Sequence, residues 1–403
     1  MVNVCFYFQV HQPQRLRHYP IFDIGHNHSY FDSKKNEEIF RKVTGKCYRP
    51  TNNLILELIR KTDGKFKVSY SLTGPFMEQC ESYAPELIDS FRELVKTKCV
   101  DLLDETYYHS LSFIYSRNEF DKQVRLHTKK VHDLFGISPS VFRNTELIYN
   151  NELGNHIESM GYKGILAEGA DQILGWRSPN VVYKPQGAKN IRLLLKNYKL
   201  SDDIAFRFGQ KSWSEFPLTA DKFASWINSI NGSGSIVNLF MDYETFGEHQ
   251  WEDKGIFQFL EHLPKYLLQH PDNNFVTTAE ACKKHDPIAE LDVPHLISWA
   301  DVERDLSAWL GNRMQQEAIN LLYSLETDVV GIKDKKLLSD WRNLQISDHF
   351  YYMCTKWFAD GDVHKYFNPF DRPHDSFISF MNIVHDLKER IETKKEVKAC
   401  QVQ

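Results

Sequence analysis

What the chain lacks narrows it first. No apolar stretch reaches the roughly 20 residues that a membrane-spanning helix needs. The apolar start, "MVNVCFYFQVHQP", has no basic segment, no small-residue cleavage site and several polar interruptions, so it makes a poor secretion signal. Cysteine is sparse: Cys5, Cys47, Cys80, Cys99, Cys282, Cys354 and Cys400 are odd in number, scattered and never spaced CxxC. Inert reduced thiols and a cytoplasmic location are the expectation. Neither sign of charge dominates. A net charge of -5 argues against nucleic acid or an anionic membrane as partner. There is no internal repeat, low-complexity segment or flexible linker. Neither HxxxH nor HExxH occurs, and His127 and His132 lie five apart, off one helical face. No metal and no cofactor is expected.

What is present belongs to a large globular protein. The 403 residues are 42% hydrophobic and 26% charged, enough for a sizeable core in one large domain or two. Aromatics are abundant, with 27 Phe, 19 Tyr and 8 Trp, material for a core and for surfaces on which sugars stack. Short β-rich runs recur, each ending in a polar or Gly-containing stretch. They are "VNVCFYFQV" (2–10), "FKVSYSL" (66–72), "CVDLL" (99–103), "SVFRN" (140–144), "GILAE" (164–168), "IAFRF" (204–208) and "SIVNLFM" (235–241). Helical spacing separates most of them, over 52–62, 85–97, 119–136, 150–162 and 219–230. Pro85 suits a first turn and Gly136 a C-cap.

Strand alternating with helix means βα units and a parallel sheet. About seven units with near-continuous apolar strands fit a closed parallel barrel over 1–290, with a doubly wound open sheet as the alternative. "VVYKPQGAKNIRLLLKNY" (181–198) reads as an inserted hairpin turning at "QGAKN". Beyond residue 290 the strand pattern stops. Stretches at 303–327, 334–358 and 375–397 read as helices, predicting a C-terminal helical region over 291–403.

In a parallel barrel, function collects at the C-terminal ends of the strands. Several predicted strands end in reactive groups. The first ends at His11-Gln12-Pro13. The third leads into Asp104, Glu105, Tyr107, Tyr108 and His109, and the fourth into Asn144, Thr145 and Glu146. The sixth leads toward Trp213, and the seventh ends at Asp242, with Glu244 and His249 beyond. Polar residues after strands are also ordinary loop and cap residues, so the agreement of several ends is what carries weight.

Five stretches, "FQVHQP", "LDETYYHSLS", "FRNTELIYNNELG", "LFMDYETFGEHQW" and "ISWADVERDLSAWLGN", together resemble the five ordered sequence blocks of glycoside hydrolase family 57, in its α-amylase-like branch. The resemblance implies an incomplete parallel (β/α)7 barrel over 1–290, followed by a helical region over 291–403 that contributes to the active-site cleft. It also implies retaining cleavage or transfer of α-glucosidic bonds in an α-1,4-glucan such as maltodextrin, glycogen or starch. A Glu of the third block would be the nucleophile and an Asp of the fourth the acid/base, which here are Glu146 and Asp242. Such chemistry needs the two carboxyls roughly 5–5.5 Å apart, one ionised and the other protonated. Asp242 would then hold its proton above the reference pKa of about 3.9.

The same resemblance implies supporting roles. His11, with Gln12, and His109 would face the reacting sugar. Where the family often has H-x-H-Q-P, Gln9 stands in place of the first His. Arg143 would keep Glu146 ionised, or form an ordinary interior ion pair. Glu244 and His249 would tune Asp242, or belong to a solvated loop. Trp213, Trp251, Trp299 and Trp309 are candidate sugar platforms, since pyranose C–H faces stack on aromatic rings. Asp305, in the fifth block, would bind substrate, or merely supply charge near a helix start. A 4-α-glucanotransferase on the same site is the main alternative. A metal-dependent carbohydrate esterase drawing on His26, His28, His11 and the strand-end carboxylates, and a glucan-binding protein without turnover, are the remaining ones.

Overall fold

The computed structural model describes residues 1–356 and 368–402. The strands are β1 (Asn3–Val10), β2 (Val68–Leu72), β3 (Val100–Leu102), β4 (Val141–Phe142), β5 (Gly164–Glu168), β6 (Lys184–Pro185), β7 (Arg192–Lys196), β8 (Ile236–Asp242), β9 (Asn274–Phe275) and β10 (Glu290–Leu291). β1 pairs in parallel with β2 on one side and β8 on the other, and β2 with β3. β4, β5 and β7 form a second parallel ladder. Two thin seams join the ladders. At one, Asp104 bridges Phe142, its amide donating to Val141 O at 3.0 Å. At the other, the Asn197 amide donates to Asn238 O at 2.9 Å and Asn238 Nδ2 to Leu195 O at 2.9 Å. The result is an incomplete (β/α)7 barrel of seven parallel staves, followed by a helical region.

Alternation along each stave decides what faces inward. Successive side chains point to opposite faces of a strand. In β1, Val4, Phe6 and Phe8 pack outward against the helix layer, while Cys5 and Tyr7 join the inner cluster with Leu103, Leu166, Leu194 and Phe240. Gln9 and His11 continue the inner row upward to the mouth. In β8, Val237, Leu239 and Met241 face outward, and Ile236 and Phe240 inward, so Asp242 is the next inward residue. Both faces of the staves are covered, which is why "NVCFYFQV" is buried throughout and shows no alternation of polarity.

One predicted stave is corrected. "IAFRF" is not a strand: Asp203–Arg207 is a single turn of π-helix. The sixth stave is β7, inside the segment read as an inserted hairpin. A hairpin contact does exist there, since Tyr183 and Leu193 exchange antiparallel hydrogen bonds at 3.2 and 2.8 Å. The second arm, however, also pairs in parallel with β5 from Gly164↔Arg192 to Glu168↔Lys196. A short apolar run does not distinguish a strand from a buried helical turn by periodicity, and the QGAKN turn masked the stave behind it.

The remaining elements follow the local signals. Pro85 begins the helix Pro85–Lys96, and Gly136, at φ 70°, caps the helix Arg117–Phe135. After β10 a stretch without helix, 292–306, leads into helices at Ser307–Leu310, Arg313–Ser324, Glu326–Ile332, Lys335–Asn343, Ser347–Tyr351 and Pro373–Val402. The predicted helix over 334–358 is thus broken at Leu344–Ile346, and its last residues, 357 and 358, lie outside the described residues. Trp309, Trp341, Phe350 and Phe380 form the core of this region, which also takes in Leu16, Tyr19 and Tyr30 from the chain just after β1. Among the described residues, no helix is long and apolar enough to cross a membrane.

Candidate active site

The loops at the C-terminal ends of the staves surround an open cavity. Glu146, Asp242, His11, Gln12, His109, Glu244, His249 and Trp299 all line it. Residues that sequence reasoning either passed over or noted without assigning a role join them: Gln9, Arg15, Lys196, Phe206, Asp348 and Tyr352.

Glu146 follows β4 on a tight turn, Thr145–Leu147, and carries φ 56°, with Leu147 at 51°. Left-handed backbone at two consecutive non-glycine residues costs of order 1–3 kcal/mol each and persists only where surroundings impose it. Here the Trp299 amide donates to Glu146 O at 3.2 Å, and Asn144 Nδ2 donates to Ile148 O at 3.1 Å. The turn presents the carboxylate to the cavity. The Trp299 indole N–H donates to its Oε2 at 2.8 Å, and His109 Nε2 lies 2.9 Å from its Oε1.

His109, itself at φ 49°, is buried between two carboxylates, with Nδ1 3.0 Å from Glu105 Oε2. Burial alone would lower its pKa, but the hydrogen bonds to Glu105 and Glu146 raise it to about 9. Burial would likewise raise Glu105, yet the hydrogen bond and charge of His109, then Arg143 and His127, bring it down to about 2. The result is a row of carboxylate, imidazolium and carboxylate ending at Glu146. His11 stacks on His109, ring centroids 4.2 Å apart, and reaches Asp348 Oδ2 with Nε2 at 2.9 Å. Burial, and then the charge of His109, lowers the pKa of His11.

Asp242 ends β8, paired in register with Gln9 of β1. Gln9 accepts from Tyr7 OH at 2.8 Å and Ser71 Oγ at 3.0 Å, and donates to Glu105 at 3.3 Å. It therefore fastens the floor of the site to the Glu105–His109 row. Glu244 is buried beyond Asp242, accepting from Tyr48 OH and, at 3.5 Å, from Gln12 Nε2. Burial first, and then the charge of Asp242, pushes Glu244 up to about 8. Gln12 is held in turn by Arg15, whose Nη2 donates to Gln12 Oε1 at 3.0 Å. The His249 amide donates to Glu244 O at 2.9 Å, which folds the loop back over the site.

The other candidates lie elsewhere. Arg143 is fully buried, its guanidinium 5.0 Å from the Trp299 ring centroid and its Nη1 3.9 Å from Glu105 Oε2. Trp213 sits edge-on to Trp226, centroids 6.3 Å apart, against the outer core, and does not line the cavity. The strand that was to aim it inward is the π turn. Asp305 is exposed and accepts from the Ser307 amide at 2.8 Å, at the start of the helix Ser307–Leu310. Trp309 is core and Trp251 half-exposed. His28 bonds Asp386 at 2.8 Å. Among the described residues, no three His, Cys, Asp or Glu side chains are grouped to hold a metal ion.

Lys196, at the end of β7, had no site signal because its segment read as a hairpin. Its Nζ lies 2.9 Å from Asp202 Oδ1 and 5.2 Å from the Trp299 ring centroid. Trp299 thus has two cations, Arg143 and Lys196, near its ring while its N–H serves Glu146. Asp348 was concealed within a predicted continuous helix. The polar run "QISD" (345–348), which resembles a helix start, was the available signal.

A parallel barrel with several carboxylates and hydrogen-bond donors converging at its mouth is the general arrangement of a barrel enzyme that works at the C-terminal ends of its strands. The chain belongs to glycosyl hydrolase family 57, whose family model matches residues 5–294. It is 43% identical over 405 aligned positions to a protein of Methanocaldococcus jannaschii that carries a provisional alpha-amylase name, covering 96% of this chain and 85% of that one. The fold is similar to that of a branching enzyme from Pyrococcus horikoshii, with TM-score 0.69 and 15% identity over 91% of this chain and 87% of that one. It is also similar to a 4-alpha-glucanotransferase from Thermococcus litoralis, with TM-score 0.64 and 16% identity, covering 87% of this chain and 56% of that one.

Proposed function

We propose that the protein is a retaining glycosidase acting on α-1,4-glucans, with Glu146 the nucleophile and Asp242 the acid/base. The observation that carries the reading is the setting of Glu146. Its carboxylate faces the cavity that Asp242 also lines, with donors on both oxygens, one of them a buried imidazolium. Such donors favour the ionised form and fix its direction. The alpha-amylase name of the M. jannaschii relative supports the substrate class.

In this mechanism Glu146 attacks the anomeric carbon while Asp242 protonates the departing glycosidic oxygen, leaving a glucosyl ester on Glu146. Water, or a sugar hydroxyl, then gives its proton to Asp242 and displaces Glu146 with a second inversion. Both His109 ring nitrogens are engaged by carboxylates, so His109 orients Glu146 rather than binding a sugar hydroxyl. Gln12, Glu244 and His249 shape the surroundings of Asp242, while His11 and Asp348 border the reacting sugar.

Incubation with maltoheptaose and glycogen, with products separated by size, tests the reading. Shorter chains alone mean hydrolysis; longer chains as well mean a 4-α-glucanotransferase on the same site. Glu146→Gln and Asp242→Asn each abolish turnover with the circular dichroism spectrum unchanged, and azide partly rescues Glu146→Ala with inverted product anomer. Wild-type rates in either variant would overturn the assignment.

A further inference from the structure

The turn that replaced a predicted strand holds an exposed aromatic at the cavity wall. In Asp203–Arg207, Ile204 and Ala205 are buried, yet Phe206 is 49% exposed and lines the cavity. A single π turn widens the helix by one residue and is often found where a side chain is redirected for function. Here Arg207 secures it, donating to Asp203 Oδ1 at 2.6 Å and to Lys199 O at 2.9 Å.

The turn belongs to the wall that carries Asp242. The Phe240 amide of β8 donates to Ser201 Oγ at 3.2 Å, just before the turn. Gln250 Nε2, in the loop after Asp242, donates to Ala205 O at 2.8 Å, beside Phe206. Gly209 approaches the same glutamine so closely that a Cβ there would lie 2.8 Å from Gln250 Oε1. Phe206 is therefore tied to the Asp242 loop from both sides, whereas Glu146 is tied to His109 and Trp299.

The chemistry gives this side a meaning. An acid/base carboxyl must reach the glycosidic oxygen, so it borders the sugar that leaves and the acceptor that later takes its place. We infer that Phe206 is the stacking platform for the leaving-group glucosyl unit, and so a determinant of affinity on the acceptor side of the cleavage point. The inference rests on the glucan reading above. An aromatic face with one side in solvent suits the C–H face of a pyranose, and Phe206 has no polar atom with which to fix one hydroxyl pattern.

Two donors separate this role from the others. A maltooligosaccharide carries a sugar on the leaving side; α-maltosyl fluoride carries none. Phe206→Ala is expected to lower kcat/KM for maltotetraose about fivefold, mainly through KM, and to leave kcat/KM for the fluoride unchanged. Phe206→Trp is expected to restore the maltotetraose value. Equal losses on both donors would overturn the inference, as would an unaffected maltotetraose KM. A wild type that turns over neither donor would instead remove the glucan reading itself.

Discussion

At the scale of single residues, the site depends on one buried proton. His109 is charged because two carboxylates border it, and each carboxylate is steadied by that charge. Its folded pKa of about 9 lies above the free value of about 6.5. The stabilisation is therefore fully present below pH ~6.5 and fades as pH rises toward 9. Glu105 works in the opposite sense. Held at about 2, it contributes above the free glutamate value of about 4.3 and loses this as pH falls toward 2. Between those free values both contributions are complete. Glu105→Gln removes one of the two carboxylates that hold the proton. In this variant the His109 ring, followed by NMR, is expected to titrate well below its wild-type value of about 9. An unmoved titration would mean that Glu146 alone holds the charge.

The inner row of β1 is legible in the sequence alone, because period-two alternation carries Cys5 and Tyr7 upward to Gln9 and His11. Lys196 is not, because its inward position depends on a parallel pairing with residues 164–168 that no local pattern reports. The setting of Trp299 is hidden for the same reason. Its partners Glu146, Arg143 and Lys196 come from two other staves, and a sequence block shows the indole without showing where its N–H points.

At the scale of elements, local signals located the staves and helices that carry caps and turns of ordinary chemistry, and misplaced one stave where they did not. The backbone at the site departs from those rules most. His109, Glu146, Leu147, Asp301 and Arg304 all have positive φ without being glycine. Strain of this kind cannot be read from residue type, because the residue type argues against it. Two substitutions of opposite sense make the point measurable. Lys333 follows the helix Glu326–Ile332 at φ 61° and is exposed, at a position where glycine is the preferred residue. Lys333→Gly is expected to stabilise by about 1 kcal/mol and raise the thermal midpoint. Gly247, at φ 104° in the Asp242 loop, would place a Cβ 2.1 Å from Lys46 O. Gly247→Ala is expected to cost at least about 2 kcal/mol and to lower kcat, since it displaces the loop that carries Glu244 and His249.

At the scale of the whole molecule, the helices after β10 and the barrel share both a core and a site. Leu16, Tyr19 and Tyr30 are buried among the C-terminal helices, Ser347 donates its amide to His109 O at 3.0 Å, and Asp348 pairs with His11. A contact that loosens the two layers should therefore reach the chemistry. The firmest charged one is Arg342 on Glu119, with hydrogen bonds of 2.7 and 3.1 Å to a fully buried carboxylate on the barrel helix Arg117–Phe135. Burial raises the Glu119 pKa, and Arg342 opposes only part of that. Because the charged form is the disfavoured one, its cost is absent below the free value of about 4.3 and grows as pH rises through it. Arg342→Leu leaves that charge alone, at a cost of about 3–5 kcal/mol near neutral pH. The loss in thermal midpoint is expected to be large at pH 7 and to shrink toward pH 5, as Glu119 in the variant takes up a proton. If barrel and helices are one cooperative unit, glucan turnover will disappear within that same transition. Activity that survives the melting of the helices would mean that the barrel closes its site without them.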